Sequence, residues 1–215
     1  MTARTRRRPD LSRLQEISEA GARNAATALS QIIGRPVHLD VPWARPIPLE
    51  EVADIAGGAR RVVCALSLRV YGGARGNLLL VFGEDQVPLL LDLLVRGRRD
   101  GHGREAPPLG DAERSALREI ANILAGAYLN AVSRLLGVSL LPSIPGLAFD
   151  MVGAVTDFLL IEQAPISDTA LVLASQIREP ESGLRGELFF LPDPGTLPSR
   201  VRAADVVRAR RRRSR

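Results

Sequence analysis

The sequence predicts an α+β fold, a pseudo-two-fold repeat of helix–strand units with one antiparallel sheet and two long helices on one of its faces. The first observation is an internal repeat, because residues 12–42 align without a gap on residues 115–145 and share nine identities in 31 positions. Chance would give about two. The second observation is that hairpin-spaced strands follow a long helix in each half. Half of this 215-residue chain would bury too little apolar surface to form a good core. We therefore expect one pseudo-symmetric domain.

A long helix opens each half, over about residues 10–33 and 111–136. Both stretches are rich in helix formers and nearly free of Gly and Pro breakers. An acidic N-cap and a glycine just past the last turn are expected to bound each helix. These residues are Asp10 and Gly34 in the first half, and Asp111 and Gly137 in the second.

The remaining elements follow in the same order in both halves. An extended segment with prolines (36–43 and 138–145) precedes a short helix (about 48–57 and 147–160). Two strands rich in β-branched and apolar residues come next. They are RRVVCALSLRV and GNLLLVF in the first half, and TALVLASQI and GELFFL in the second. A helical pattern closes each half, in EDQVPLLLDLLV and GTLPSRVRAADVV.

The net charge of +5 comes from the two ends of the chain. Residues 1–9 carry four arginines and residues 207–215 carry six, so without these ten the balance is 19 basic against 24 acidic residues. We expect both ends to be solvated, disordered basic tails. They flank a single domain over residues 10–206, composed of repeats 10–96 and 111–206 and a Gly/Pro-rich linker at 97–110. The body lacks a basic surface with interleaved aromatic residues, so no nucleic-acid partner is expected.

The composition excludes several classes of enzyme. The chain contains no lysine, which removes Schiff-base chemistry and the phosphate-binding lysine of a P-loop. With two histidines and one cysteine, neither a metal site nor a Cys–His nucleophile is expected. The single cysteine indicates a cytoplasmic protein, and no apolar stretch is long enough for a membrane span.

The second long helix has an unusual polar face. At about 100° per residue, Glu119 and Asn122 lie together on the side opposite the apolar residues. Ser115 lies one turn before this pair, and Gly126 lies one turn beyond it, where a missing side chain lets another molecule approach the backbone. The expected core face comprises Leu117, Ile120, Ala121, Leu124, Ala127, Tyr128, Ala131 and Leu135.

The first half differs at this face. The positions that match Asn122 and Gly126 carry Glu19 and Arg23. An amide both donates and accepts hydrogen bonds, whereas a carboxylate only accepts them and repels a phosphate. The comparison therefore favours one working site, in the second half. The alternative interpretation is a solvated polar face, which every amphipathic helix has.

The second half resembles the CheC/CheX/FliY family of response-regulator phosphatases. Their motif is Asp or Ser, three residues, Glu, two residues, Asn, twenty-two residues and Pro. Here it reads Ser115, Glu119, Asn122 and Pro145. The first half has a degenerate copy, with Ser12, Glu16 and Pro42 in place but Glu19 instead of Asn. Two motif-bearing repeats are typical of the CheC type of member and not of the shorter CheX.

The resemblance implies hydrolysis of the aspartyl phosphate on a CheY-like response regulator in chemotaxis signalling. Glu119 and Asn122 would be catalytic: Glu119 would pair with a lysine of the regulator, and Asn122 would position the attacking water. Ser115 and Pro145 would contribute to binding, although Pro145 is equally well explained as a loop-forming proline. From its spacing alone, we expect Gly126 to let the second long helix lie close to the partner. No cofactor is expected in this chain, because the regulator would supply a Mg²⁺ ion. Family members also bind CheD, a receptor-modifying deamidase, so the alternative is a non-catalytic scaffold for a regulator or for CheD.

Overall fold

The computed structural model describes residues 10–95, 109–161, 164–198 and 201. Within them, five α-helices occupy Leu11–Ile33 (α1), Val52–Ile55 (α2), Val87–Val95 (α3), Asp111–Leu136 (α4) and Val152–Leu160 (α5). Strands occupy His38–Pro48 (β1), Val62–Gly72 (β2), Gly76–Gly83 (β3), Leu140–Pro142 (β4), Gly146–Met151 (β5), Thr169–Glu179 (β6) and Leu184–Pro192 (β7). Short 3₁₀ turns, Leu49–Glu51 and Glu84–Gln86, precede α2 and α3.

The ends of the long helices follow the sequence signals, with one exception. The Asp10 side chain accepts a hydrogen bond from the Arg13 backbone N–H at 3.1 Å, as expected of an N-cap. Gly34 and Gly137 end the two helices with left-handed φ angles of 70° and 61°. The predicted cap at Asp111 is wrong, because Gly110 occupies the cap position and Asp111 is already helical. Its carboxylate lies in the first turn, where the helix dipole favours a negative charge.

The described strands form one antiparallel sheet in the order β1-β6-β7-β3-β2-β4, with β5 also paired to β2. The two halves exchange their outer strands: β1 of the first half pairs with β6 of the second, and β4 and β5 of the second half pair with β2 of the first. The equivalent strands β3 and β7 meet at the centre. The pseudo-two-fold relation predicted from the repeat therefore exchanges β3 with β7, and β2 with β6. Neither half of the chain forms a complete sheet by itself.

Both faces of the sheet are covered, whereas the sequence led us to expect helices on one face. The long helices α1 and α4 share one face, as predicted, and pack on alternate strand residues such as Leu66 and Leu80. The intervening residues, such as Ala65 and Leu79, point to the opposite face and pack on the short helices α2 and α5. The α+β class is confirmed, and the short helices add a third layer.

Two predicted segments have different structures. The stretch 147–160 was predicted as one helix, but Gly146–Met151 forms strand β5 and only the remainder is helical. Hydrogen bonding to the edge of β2 explains the difference, because β5 pairs with it from Val62 to Ser67. The extended segment predicted at 36–43 continues as β1 to Pro48, paired with β6.

Several predictions lie outside the described residues. These are the basic tails 1–9 and 207–215, linker residues 97–108, and most of the closing helical pattern at 195–207. The domain boundaries set at these segments stay predictions.

A buried contact joins α1 to α4. The Tyr128 ring is fully buried, and its hydroxyl lies 2.8 Å from the Ser18 hydroxyl of α1. The same ring lies edge-on to Phe190 of β7, with ring centroids 6.2 Å apart. Gly21 gives the ring its space, since a Cβ there would lie 2.7 Å from two ring carbons. Tyr128 thus connects both long helices to the sheet.

We expect Gly21→Ala to destabilise the fold by about 1–3 kcal/mol, because the added methyl group overpacks the buried Tyr128 ring. The matched control is Gly126→Ala, also inside a long helix, where an added Cβ has no neighbour within 4 Å. That change should stabilise the fold by about 0.5–1 kcal/mol through helix propensity. Urea unfolding of both variants measures the difference, and equal effects would contradict the packing described for Tyr128.

Candidate functional site

Helix α4 is held in place by its apolar side. Six of the eight residues predicted for its core face are buried, whereas Ala127 is half-buried and Leu135 is 37% exposed. Towards its C-terminal end the helix buries further residues, Leu129, Val132 and Leu136. The N-terminal half of the helix exposes Ser115, Arg118, Glu119 and Asn122, whereas Asn130 and Arg134 are exposed further along.

The predicted site residues lie on this exposed part. Ser115, Glu119 and Asn122 are all exposed, and Gly126 is half-buried. A Cβ built on Gly126 meets nothing within 4 Å, so the surface beside Asn122 is open. Among the described residues, none forms a hydrogen bond or an ion pair with the Glu119 or Asn122 side chain. Both side chains are therefore available to another molecule.

The matching face of the first half is already occupied by its own contacts. The carboxylate of Glu16 lies 2.9 Å from the Arg13 guanidinium. Glu19 accepts a hydrogen bond from the Gln15 amide at 3.4 Å and lies 4.0 Å from Arg23. Ser12 is exposed beside them. The matching face of α1 thus presents two carboxylates that contact neighbouring side chains, and the position that matches Asn122 carries no amide.

The two motif prolines occupy equivalent places in the outer strands. Pro145 is half-buried and ends the segment 143–145, which interrupts the pairing of β4 and β5 with β2. Pro42 lies where the register between β1 and β6 is interrupted. A proline cannot donate a ladder hydrogen bond and is tolerated at such interruptions.

The segment before Pro145 is fixed to β2. The Ser143 backbone N–H donates to the Arg69 carbonyl at 2.8 Å, and the Arg69 N–H donates to the Ser143 hydroxyl at 3.0 Å. Strand β5, which begins directly after Pro145, contacts α4. Pro145 therefore lies between a segment fixed to β2 and a strand that contacts α4.

Other candidate nucleophiles and ligands lie elsewhere. Burial raises the pKa of the Cys64 thiol to about 12, so this residue is protonated at neutral pH. His38 is exposed on β1, and His102 lies outside the described residues. Within the described part of the chain, no group of three or more His, Cys, Asp or Glu residues could hold a metal ion.

Helix α5 carries exposed apolar residues that the sequence analysis does not predict. Phe158 and Ile161 are 74% and 69% exposed, and Ile166 in the following turn is 50% exposed. The helical period carried this signal, because Val152, Val155 and Leu159 form the buried side of α5 and Phe158 lies away from it. Since α5 packs on the opposite face of the sheet from α4, this surface is separate from the candidate site.

None of the described helices combines the length and the apolar character that a membrane-crossing helix requires.

Comparisons with known proteins identify relatives of this chain. The CheC-like family profile matches residues 113–147, which include Ser115, Glu119, Asn122 and Pro145. The chain is 32% identical over 184 residues to the CheY-P phosphatase CheC of Bacillus subtilis, covering 84% of this chain and 86% of that protein. It is 28% identical over 129 residues to the flagellar motor switch phosphatase FliY of the same organism, covering 58% of this chain and 32% of FliY.

The fold also has a solved counterpart. The crystal structure of Thermotoga maritima FliY superposes with a TM-score of 0.64 at 22% sequence identity, covering 87% of this chain and 91% of that one. The architecture of helices and antiparallel sheet is therefore that of a known fold. Together with the identity to CheC over most of both chains, the comparisons establish that this chain belongs to the CheC-like family.

Proposed function

We propose that this protein hydrolyses the aspartyl phosphate of a CheY-like response regulator, using one site on α4. The observation that carries the proposal is the pair Glu119 and Asn122, exposed side by side on a helix whose other side is fixed in the core. The names of the Bacillus subtilis relatives, a CheY-P phosphatase and a motor switch phosphatase, support this substrate class.

The chemistry requires little from this chain beyond orientation. Water attacks the phosphorus in line, the bond between phosphorus and the aspartyl oxygen breaks, and the products are inorganic phosphate and a free aspartate. The Asn122 amide can accept a hydrogen bond from the attacking water and donate one to an oxygen nearby. Glu119 can form an ion pair with a lysine of the regulator and fix the docking angle. Positioning of this kind can lower a barrier by several kcal/mol.

The regulator supplies the remaining groups in this proposal. A Mg²⁺ ion on the regulator would neutralise charge on the phosphoryl oxygens. The site residues predicted on α4 are an acid, an amide, a hydroxyl and a glycine. They would act on the phosphoryl group by hydrogen bonding, and the regulator would hold the metal ion.

Asn122→Ala should lower the rate of phosphate release from a phosphorylated CheY-like regulator by about 100-fold or more, because the water loses its positioning group. The side chain is exposed, so the melting temperature should be unchanged. The matched control is Glu19→Ala at the equivalent position of the first half, which should keep nearly full activity. A fully active Asn122→Ala variant would refute the assignment, and a large loss in the control would mean that the first half also works.

Gly126→Arg should impair phosphate release while the protein stays folded, since arginine is the residue at the matching position of the first half. The open surface above Gly126 accommodates the side chain in the free protein, but that side chain would obstruct the approach of the regulator. Activity assays and thermal melting of the same preparation separate the two effects. Unchanged activity would show that the regulator does not approach this part of α4.

We also propose a second function, binding of a CheD-like deamidase, on the exposed apolar surface of α5. The family resemblance implies such a partner. Phe158 and Ile161 are exposed one turn apart at the end of α5, and Ile166 in the following turn is also exposed. Exposed apolar clusters of this kind commonly mark interaction sites. Because α4 lies on the other face of the sheet, the protein could bind a regulator and a deamidase together.

Phe158→Asp should weaken binding of a purified CheD-like deamidase by about tenfold or more, through loss of an apolar anchor, and should leave phosphate release unchanged. Leu141→Asp on β4, 64% exposed, is the matched control and should bind normally. Titration calorimetry with both variants measures the effect. If Phe158→Asp bound as tightly as the wild type, the deamidase would have to use another surface.

A further inference from the structure

Arg118 lies directly before Glu119 and one turn before Asn122, and its side chain is exposed. It differs from the other arginines on the two long helices. Arg13 and Arg23 contact Glu16 and Glu19 at 2.9 and 4.0 Å, and the Nε atoms of Arg114 and Arg134 donate to backbone carbonyls at 3.2 and 3.3 Å. Arg118 forms no hydrogen bond or ion pair with any residue that the structure describes.

The first half has neither this charge nor the amide. The position that matches Arg118 is Gln15, and its amide donates to Glu19, the residue that replaces Asn122, at 3.4 Å. The first half therefore pairs a neutral side chain with a carboxylate, where the second half has a free guanidinium and a free amide. Arg118 and Asn122 are present together in one half and absent together from the other.

The charge of Arg118 suits the surface that the site must meet. An aspartyl phosphate and the carboxylates that hold a Mg²⁺ ion make a phosphorylation pocket strongly acidic. A guanidinium binds carboxylate and phosphate groups in a planar, two-point geometry. The body of this chain is acidic, with 19 basic against 24 acidic residues between the tails, so an unpaired cation beside the site offsets repulsion between the two proteins.

The position of Arg118 on α4 favours docking over the chemical step. One turn of helix measures about 5.4 Å, and Arg118 is attached to α4 one turn closer to its N-terminus than Asn122. A guanidinium attached there would meet the rim of a pocket whose centre Asn122 would reach.

We propose that Arg118 is the electrostatic docking residue of this site and binds the acidic rim of the regulator's phosphorylation pocket. The inference rests on the proposed phosphatase function. Arg118 would then select an acidic partner. As a positioning residue, it would affect the KM of the reaction and not kcat.

The test compares Arg118→Gln, which carries the first-half residue, with Arg114→Gln, an exposed arginine one turn earlier on the same helix. Phosphate release is followed at varied concentrations of a CheY-like regulator phosphorylated by a small-molecule phosphodonor in Mg²⁺. Arg118→Gln should raise KM about three- to tenfold with kcat unchanged. It should also reduce the loss of kcat/KM between about 50 and about 500 mM NaCl, since the removed contact is screened by salt. Arg118→Lys, which keeps the charge but not the two-point geometry, should restore the salt dependence and recover part of the affinity.

Three outcomes would overturn the inference: a KM equal to that of Arg114→Gln, an unchanged salt dependence, or a fall in kcat at constant KM. The last outcome would place the guanidinium at the reacting phosphoryl group. A wild-type protein that releases no phosphate from any regulator would instead contradict the proposed function, and the two failures are thereby distinguished.

Discussion

The site depends on the burial of one side of α4 between α1 and the shared sheet. Tyr128 fixes this arrangement, because its ring is enclosed by α4, Gly21 of α1 and Phe190 of β7, and its hydroxyl is paired with Ser18. A helix fixed on one side has a defined orientation on the other. The exposed acid and amide are thus presented by a rigid element, which is what catalysis by orientation requires.

The exchange of outer strands explains why two unequal sites persist in one domain. Each half completes the sheet of the other, since β1 pairs with β6 and β5 with β2. The first long helix is therefore required for the core whatever its exposed face carries. Glu16 and Glu19 contact neighbouring side chains, so α1 has a structural role without presenting an amide at the position that matches Asn122.

The sequence predicted the parts of this structure that local periodicity and the repeat determine. The long helices, their glycine ends, the four central strands and the exposure of Glu119 and Asn122 all follow from spacing. It failed where tertiary pairing overrides local pattern. The sequence predicts a helix from about residue 147, but Gly146–Met151 forms strand β5, and its extended form depends on the edge of β2. The exposed Phe158 was missed because an apolar residue in an amphipathic helix is ordinarily assigned to the core.

The central claim is that the amide and the acid of α4 enter the phosphorylated pocket of another protein. A crystal structure of this chain bound to a CheY-like regulator carrying beryllium trifluoride, a mimic of the phosphoryl group, tests it most directly. We expect the Asn122 amide to lie within about 3 Å of the in-line water or a fluoride, and Glu119 to lie beside a lysine of the regulator. A complex in which the pocket is covered by another element, with the exposed face of α4 left in solvent, would contradict it.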